Sequence, residues 1–167
     1  TIRTPFSGGS GILPAGLLEP QKVLFFSLGC LLALVPIGLY FAITVGWGIL
    51  PVGIVGMLLV YFYTTNITRM PWLCLIAPGL GFGPIMVLGT YFCQTGAFGT
   101  SAVVASLVPG FLVSNLLLIN QFPDVEADAA GARRHFPIIL GRKHSAKIYV
   151  ALLLAVYVSL VLSVLFR

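Results

Sequence analysis

The 167-residue chain has only 8% charged residues and 59% hydrophobic ones, whereas soluble domains carry about 25% charged residues. This composition excludes an ordinary soluble domain and indicates a protein embedded in a lipid bilayer. The net charge of +5 does not indicate a nucleic-acid partner, because the basic residues lie beside apolar runs and form no basic face with interleaved aromatic residues.

Five apolar segments follow one another along the chain, and most are long enough to cross a hydrocarbon core of about 30 Å. The third contains glycines 79, 81, 83 and 89, small residues that allow two helices to approach closely. We therefore predict an all-α, polytopic transmembrane bundle of about five spans, forming one membrane domain over residues 1–167. The predicted spans cover residues 23–45, 49–63, 72–93, 101–120 and 146–166.

The charged residues test this topology. Because consecutive spans alternate in direction, the leader and the loops 64–71 and 121–147 should share one membrane face. This face receives every basic residue except Arg167, and every acidic residue. The positive-inside rule identifies it as the cytoplasmic face. The uneven distribution supports both the number of spans and their orientation.

A polar motif begins where the fourth span ends. Asn120, Asp124 and Asp128 are spaced at i, i+4 and i+8, which on a continuous helix would form one slowly drifting stripe. Carboxylates four residues apart repel each other unless a cation lies between them. Mg²⁺ prefers one or two carboxylates together with substrate phosphates. Arg133 and Arg134, with further basic residues downstream, could bind the oxygens of a diphosphate.

A plainer interpretation of this segment stays open at this point. Mixed charges often only solvate a cytoplasmic loop and anchor the helices beside it. For the same reason, we expect His135 and His144 to be solvated or interfacial rather than general bases. We expect the three cysteines only to pack, because they lack the paired spacing of a zinc site or a disulfide framework.

The longer sequences of three segments resemble those of a known family. Residues 120–141, which read Asn-Gln-Phe-Pro-Asp-Val-Glu-Ala-Asp and continue to Gly141, resemble the second aspartate-rich motif of the UbiA-type intramembrane prenyltransferases. Residues 3–10 resemble the loop after the first such motif. Residues 82–96 are similar to a stretch of the branch that prenylates 1,4-dihydroxy-2-naphthoate in menaquinone synthesis. One departure from that branch is the lack of an acidic residue between Arg69 and Gly81.

The resemblance implies a fold of about nine helices, of which this chain would be a part. It also implies a Mg²⁺-dependent transfer of a polyprenyl group from a polyprenyl diphosphate to an aromatic acceptor, with 1,4-dihydroxy-2-naphthoate as the candidate. We expect this chemistry at the cytoplasmic face of a bacterial or archaeal cell membrane. The first aspartate-rich motif would precede Thr1 and the last helices would follow Arg167, so we expect this segment alone to be inactive.

The same resemblance assigns roles to particular residues. Asp124 and Asp128 match metal-binding, catalytic aspartates, and Asn120 matches the leading polar position of the metal site. The residues expected to contact the diphosphate are Arg69, Tyr63, Arg133, Arg134 and Arg3.

Two other functions are alternatives to prenyl transfer. An alcohol phosphotransferase of phospholipid synthesis also binds metal through membrane aspartates, but its longer pattern, with an alanine-arginine pair between acidic residues, is not found in this sequence. A transporter or a non-catalytic membrane scaffold is the alternative from another class. A transport path requires polar or charged residues inside the spans. The charges here cluster at one interface, which favours a site for a lipid phosphate.

Overall fold

A computed structural model describes residues 11–165, apart from the side chain of Thr64, and over this range it contains eight α-helices. A 3₁₀ turn at Ile67–Arg69 follows α2, and a π-helical turn at Gly81–Ile85 joins α3 to α4. The predicted all-α architecture is confirmed. The helices are α1 Pro20–Thr44, α2 Ile49–Thr65, α3 Pro71–Leu80, α4 Met86–Thr95, α5 Thr100–Asn120, α6 Val125–Ala130, α7 Phe136–Ile139 and α8 Gly141–Leu165.

The helices match the predicted membrane spans closely. Within the described residues, α1, the continuous segment Pro71–Thr95, α5 and α8 are long and apolar enough to cross a membrane. The second predicted span, α2, is a 17-residue apolar helix, at the short end of what spans a bilayer. Four of the five spans are therefore confirmed by length and composition, and the chain is an integral membrane protein.

The segment Pro71–Thr95 is not a regular α-helix throughout. Pro84 has no backbone N–H and its ring would clash with the carbonyl group one turn earlier, which disfavours a regular α-helical turn. The π-helical turn Gly81–Ile85 contains this proline. Such turns insert one extra residue into a helix and change the direction of the side chains around them.

Glycines in this segment allow it to pack tightly against α5. A Cβ atom added at Gly83 would lie 2.6 Å from the Cα of Gly110, and one at Gly79 would collide with Ser114 and the Gly110 carbonyl. The predicted close helix approach is therefore confirmed at these two glycines. It is wrong at Gly81, where an added Cβ would meet no packed atom of the described residues within 4 Å.

The loops gather at two opposite ends of the bundle. At one end, the turn before α2 packs on the end of α4, where a Cβ at Gly48 would lie 2.7 Å from the Phe92 ring. At the other end, the backbone N–H of Arg134 donates to the carbonyl oxygen of Thr68 at 2.9 Å. The predicted sharing of one face by the loops 64–71 and 121–147 is confirmed. We call residues 66–71 and 121–147 the charged end.

Replacement of Gly83 by alanine should destabilise the bundle, whereas the same change at Gly81 should not. The new methyl group of Gly83→Ala would force α5 away, at a cost of about 1–3 kcal/mol. Gly81→Ala is the matched control, because its methyl group has space and alanine favours a helix by up to about 1 kcal/mol. Thermal unfolding of both variants in detergent micelles measures the difference, and equal midpoints would contradict this packing.

Candidate functional site

The polar motif after α5 is bent rather than continuous. α5 ends at Asn120, residues 121–124 form a turn, and α6 begins at Val125. Pro123 explains the break, because it cannot donate the hydrogen bond that would continue α5. The predicted single stripe through Asn120, Asp124 and Asp128 is therefore wrong. The two aspartates do remain one helical turn apart, since the Asp128 N–H donates to the Asp124 carbonyl oxygen at 2.8 Å.

Both carboxylate oxygens of Asp128 have partners. Oδ1 accepts a hydrogen bond from Nη1 of Arg133 at 3.2 Å, and Oδ2 lies 3.1 Å from Nε2 of His135. An ionised carboxylate can only accept hydrogen bonds. The Nε2 atom of His135 must therefore carry the proton that it shares with Asp128.

His135 is buried, contrary to the expectation that it would be solvated or interfacial. Only 1% of its surface is exposed, and its Nδ1 atom has no partner among the described residues. Burial lowers the pKa of His135, against the opposing effects of the hydrogen bond and the negative charge of Asp128. The imidazole is therefore neutral near pH 7. The apolar residues 136–140 that follow it are the sequence signal that could have predicted its burial.

A helix-ending motif holds Arg133 beside Asp128. The N–H of Arg133 donates to the Asp128 carbonyl oxygen at 3.0 Å, and the N–H of Ala132 donates to that of Ala129 at 3.1 Å. These are the two hydrogen bonds of a Schellman motif. Ala132 takes the left-handed conformation, with a φ of 58°, which a glycine would adopt at lower cost. The turn keeps Arg133 within reach of the carboxylate.

Helix α7 docks the loop onto the bundle. Phe136 is 5% exposed and packs with Leu75 of α3 and Leu118 of α5. Its ring also meets Trp72 edge to face, with 4.8 Å between the centroids. Together with the hydrogen bond from Arg134 to Thr68, these contacts bring the loop after α5 against the turn after α2.

The structure places the predicted diphosphate contacts unequally. Arg69 directly follows Thr68, and the side chains of Arg69 and Arg134 are exposed at the charged end. Arg133 is paired with Asp128. Tyr63, at the end of α2, lies within electrostatic reach of both members of that pair. Arg3 and the rest of the leader that carried a resemblance lie outside the described residues.

An apolar cavity of about 620 Å³ lies between α2, α5 and the segment Pro71–Thr95. The polar residues of its lining are Tyr63 and Asn120. Both residues lie at the ends of their helices nearest the charged end, so the cavity reaches from there into the bundle. Asn120 thus faces the cavity rather than continuing the helix of the aspartates. The other lining residues include Leu59, Val60, Phe82, Ile85, Met86, Val113, Leu116 and Leu117.

The donor set suits a hard cation in part. Asp124 and Asp128 offer carboxylate oxygens one helical turn apart, the ligand type that Mg²⁺ prefers. Within residues 11–165, no group of three or more His, Cys, Asp or Glu side chains is arranged to hold a metal ion. The two aspartates therefore fit a cation whose remaining ligands are waters and substrate oxygens.

The sequence matches one protein family and is similar to two proteins of known name. The model of the UbiA prenyltransferase family matches residues 11–167. The chain is 27% identical over 153 residues to the 1,4-dihydroxy-2-naphthoate octaprenyltransferase of Bacillus subtilis, covering 90% of this chain and 49% of that protein. It is 28% identical over 106 residues to the Haemophilus influenzae protein of the same name, covering 62% of this chain and 34% of that protein. The chain thus spans half or less of these relatives. No solved structure gives a significant match.

Truncation of Phe136 should release the loop that carries His135. Removal of a buried aromatic side chain costs about 3–5 kcal/mol, and the loss should fall on the contact between α7 and the bundle. Hydrogen exchange of amides 131–140 should therefore accelerate strongly in Phe136→Ala. In the same helix, Ile139 is 46% exposed, so Ile139→Ala is the control and should exchange as the parent protein does. Unchanged exchange in Phe136→Ala would show that α7 is not what anchors the loop.

Proposed function

This chain belongs to the UbiA prenyltransferase family, and we propose that its complete protein transfers a polyprenyl group from a polyprenyl diphosphate to an aromatic acceptor in quinone biosynthesis. The substrate of such a reaction has two unlike parts, a highly charged diphosphate and a long hydrocarbon chain. A site for it requires charged ligands next to an apolar space.

The observation that carries this proposal is that the segment with the aspartates directly follows Asn120, which lines the polar end of an apolar cavity. Asp124 and Asp128 lie in the loop after α5, while Tyr63 and Asn120 form the polar end of a 620 Å³ apolar cavity. The charges of Asp128 and Arg133 reach Tyr63. A diphosphate at the loop would therefore direct its hydrocarbon chain into the cavity.

Different residues around the loop would bind the metal ion and the diphosphate. Asp124 and Asp128 would hold Mg²⁺, with the Asn120 amide nearby as a further oxygen donor. Arg69, Arg133 and Arg134 would contact the diphosphate oxygens, by the paired hydrogen bonds that a guanidinium group can form. Mg²⁺, when bound there, supplies positive charge that stabilises the departing diphosphate.

The reaction proposed for this site begins with cleavage of the allylic carbon–oxygen bond, and the electron pair leaves with the diphosphate. The arginines and the Tyr63 hydroxyl stabilise the charge that develops on the leaving group. The apolar cavity keeps water away from the allylic cation, so that an electron-rich ring carbon forms the new bond. The ring then regains its aromaticity by losing a proton to water from that carbon, or carbon dioxide where the carbon carries a carboxylate, and the bonding electron pair returns to the ring.

The acceptor proposed is 1,4-dihydroxy-2-naphthoate, as in menaquinone synthesis, because both relatives reported above carry it in their names. The absence of an acidic residue between Arg69 and Gly81 is a departure from that branch. A closely related electron-rich ring is therefore the natural competitor in an acceptor assay. The proposed location of the site is the cytoplasmic membrane face, since the basic residues gather there.

Substitution of either aspartate by asparagine in the full-length protein should abolish Mg²⁺-dependent prenyl transfer. A lost metal ligand removes transition-state stabilisation of several kcal/mol, so the rate should fall about 100-fold or more. Transfer of radiolabelled prenyl diphosphate to the naphthoate acceptor, in proteoliposomes, measures the effect of Asp124→Asn and Asp128→Asn.

Glu126 provides the matched control, because it lies between the two aspartates and is exposed. Glu126→Gln removes the same charge from the same helix and should leave the rate within about twofold, since it only alters a screened surface charge. If both aspartate variants retain activity, the loop is a solvated connection and the metal is held elsewhere. If the parent full-length protein transfers no prenyl group, the scaffold or transporter alternative takes the place of the enzyme.

A further inference from the structure

The two partners of Asp128 differ in how firmly the structure holds them. The His135 side chain is 2% exposed, whereas that of Arg133 is 49% exposed. The carboxylate between them is 14% exposed. One partner is therefore enclosed by the protein, and the other reaches into solvent.

His135 is held from both sides of the loop. It directly precedes the docked Phe136, and it follows Arg134, whose N–H is bonded to Thr68. A side chain packed in this way has lost its rotamer freedom on folding, so its hydrogen bond to Asp128 costs little further entropy. Hydrogen bonds of this kind, from a buried group to a metal ligand, orient the ligand.

The backbone of Arg133 is held in place, whereas its side chain is half exposed. Its N–H is bonded within the Schellman motif, while its guanidinium group is half exposed and contacts Oδ1 of Asp128 at 3.2 Å. Because the Arg133 side chain is half exposed, solvent screens this ion pair and weakens it. The charge of Arg133 also acts on Tyr63 at the polar end of the cavity. Because the guanidinium group is half exposed, it can leave Asp128 and contact a diphosphate bound beside Tyr63.

We propose that Asp128 is held by one permanent and one exchangeable partner: His135 is a positioning residue that fixes Oδ2, and Arg133 leaves Oδ1 for the diphosphate when the metal-bound substrate arrives. Before binding, Arg133 prevents the uncompensated repulsion of two neighbouring carboxylates. A cation held by Asp124 and Asp128 would supply that compensation instead, which would free Arg133 to bind the diphosphate. This inference rests on the proposed function, because it assumes that Asp128 is a metal ligand.

The His135 half of the proposal is tested by metal affinity rather than by turnover. Binding of Mn²⁺ to the full-length protein is measured from the free-ion signal in electron paramagnetic resonance. His135→Leu should weaken Mn²⁺ binding about tenfold or more, the usual effect of losing a group that orients a metal ligand. His135→Gln keeps an N–H donor at the position of Nε2 and should restore most of the affinity.

Two further variants keep this test decisive. His144 is exposed and bonded only to the Leu140 carbonyl oxygen among the described contacts, so His144→Leu is the control and should bind Mn²⁺ as the parent protein does. If His135→Leu does not fold, His135→Asn replaces it, since its amide is too short to reach Oδ2. Equal Mn²⁺ affinity in the parent protein and in the leucine or asparagine variant would overturn the positioning role.

The Arg133 half predicts two effects of opposite sign. In Arg133→Gln, Mn²⁺ alone should bind more tightly because no cation has to be displaced from Oδ1. Inorganic pyrophosphate, titrated by calorimetry in the presence of saturating Mn²⁺, should bind about tenfold more weakly, because a charge-assisted contact is lost. The control Lys147→Gln removes a charge from the same end of the bundle and should change both affinities by less than about twofold. Unchanged or weaker Mn²⁺ binding, or unchanged pyrophosphate binding, in Arg133→Gln would overturn the exchange.

Asp128→Asn separates failure of this proposal from failure of the proposed function. If Asp128→Asn binds Mn²⁺ and pyrophosphate as the parent protein does, Asp128 is not a metal ligand and the proposed function itself fails. If Asp128→Asn loses binding while the His135 and Arg133 variants behave as the parent protein does, only the unequal pairing is wrong.

Discussion

A hydrocarbon core can neither solvate a charge nor satisfy an unpaired backbone group, and this constraint decides where each part of the chain lies. Between residues 23 and 165, every acidic or basic side chain belongs to Arg69 or to residues 124–147. Apart from the first seven residues of α8, the long helices carry no such group over this range. Their turns can lie only at the two ends of the bundle, and all of these charges are gathered at one of them.

This gathering places charged side chains directly beside an apolar cavity. The cavity exists because α2, α5 and the segment Pro71–Thr95 separate on one side, while the glycines of that segment pack closely on α5. The loop with the aspartates is kept at the cavity's polar end by Phe136 and by the hydrogen bond from Arg134 to Thr68. The packing of the short apolar helix α7 thus fixes the position of the charged residues in this loop.

The sequence was sufficient for the features that depend on composition and alternation. The helices, the shared face of the two loops and the close packing at Gly79 and Gly83 follow from apolar length, charge distribution and small residues. The break at Pro123 could also have been predicted, since a proline stands between Asn120 and Asp124. The burial of His135 is indicated only by the apolar residues 136–140 that follow it, and its bond to Asp128 could not be predicted from spacing. They depend on how Phe136 docks against residues that are distant in sequence, and hydrophobic periodicity does not contain that contact.

The central claim is that Asp124 and Asp128 hold a cation together with a diphosphate at the mouth of the cavity. A structure of the full-length protein, determined with Mn²⁺ and inorganic pyrophosphate, tests it most directly through the anomalous scattering of the metal. The account predicts a Mn²⁺ peak about 2.1 Å from carboxylate oxygens of both aspartates, with the pyrophosphate on its other side. A metal–pyrophosphate complex bound elsewhere, with both aspartates free of the metal, would contradict it.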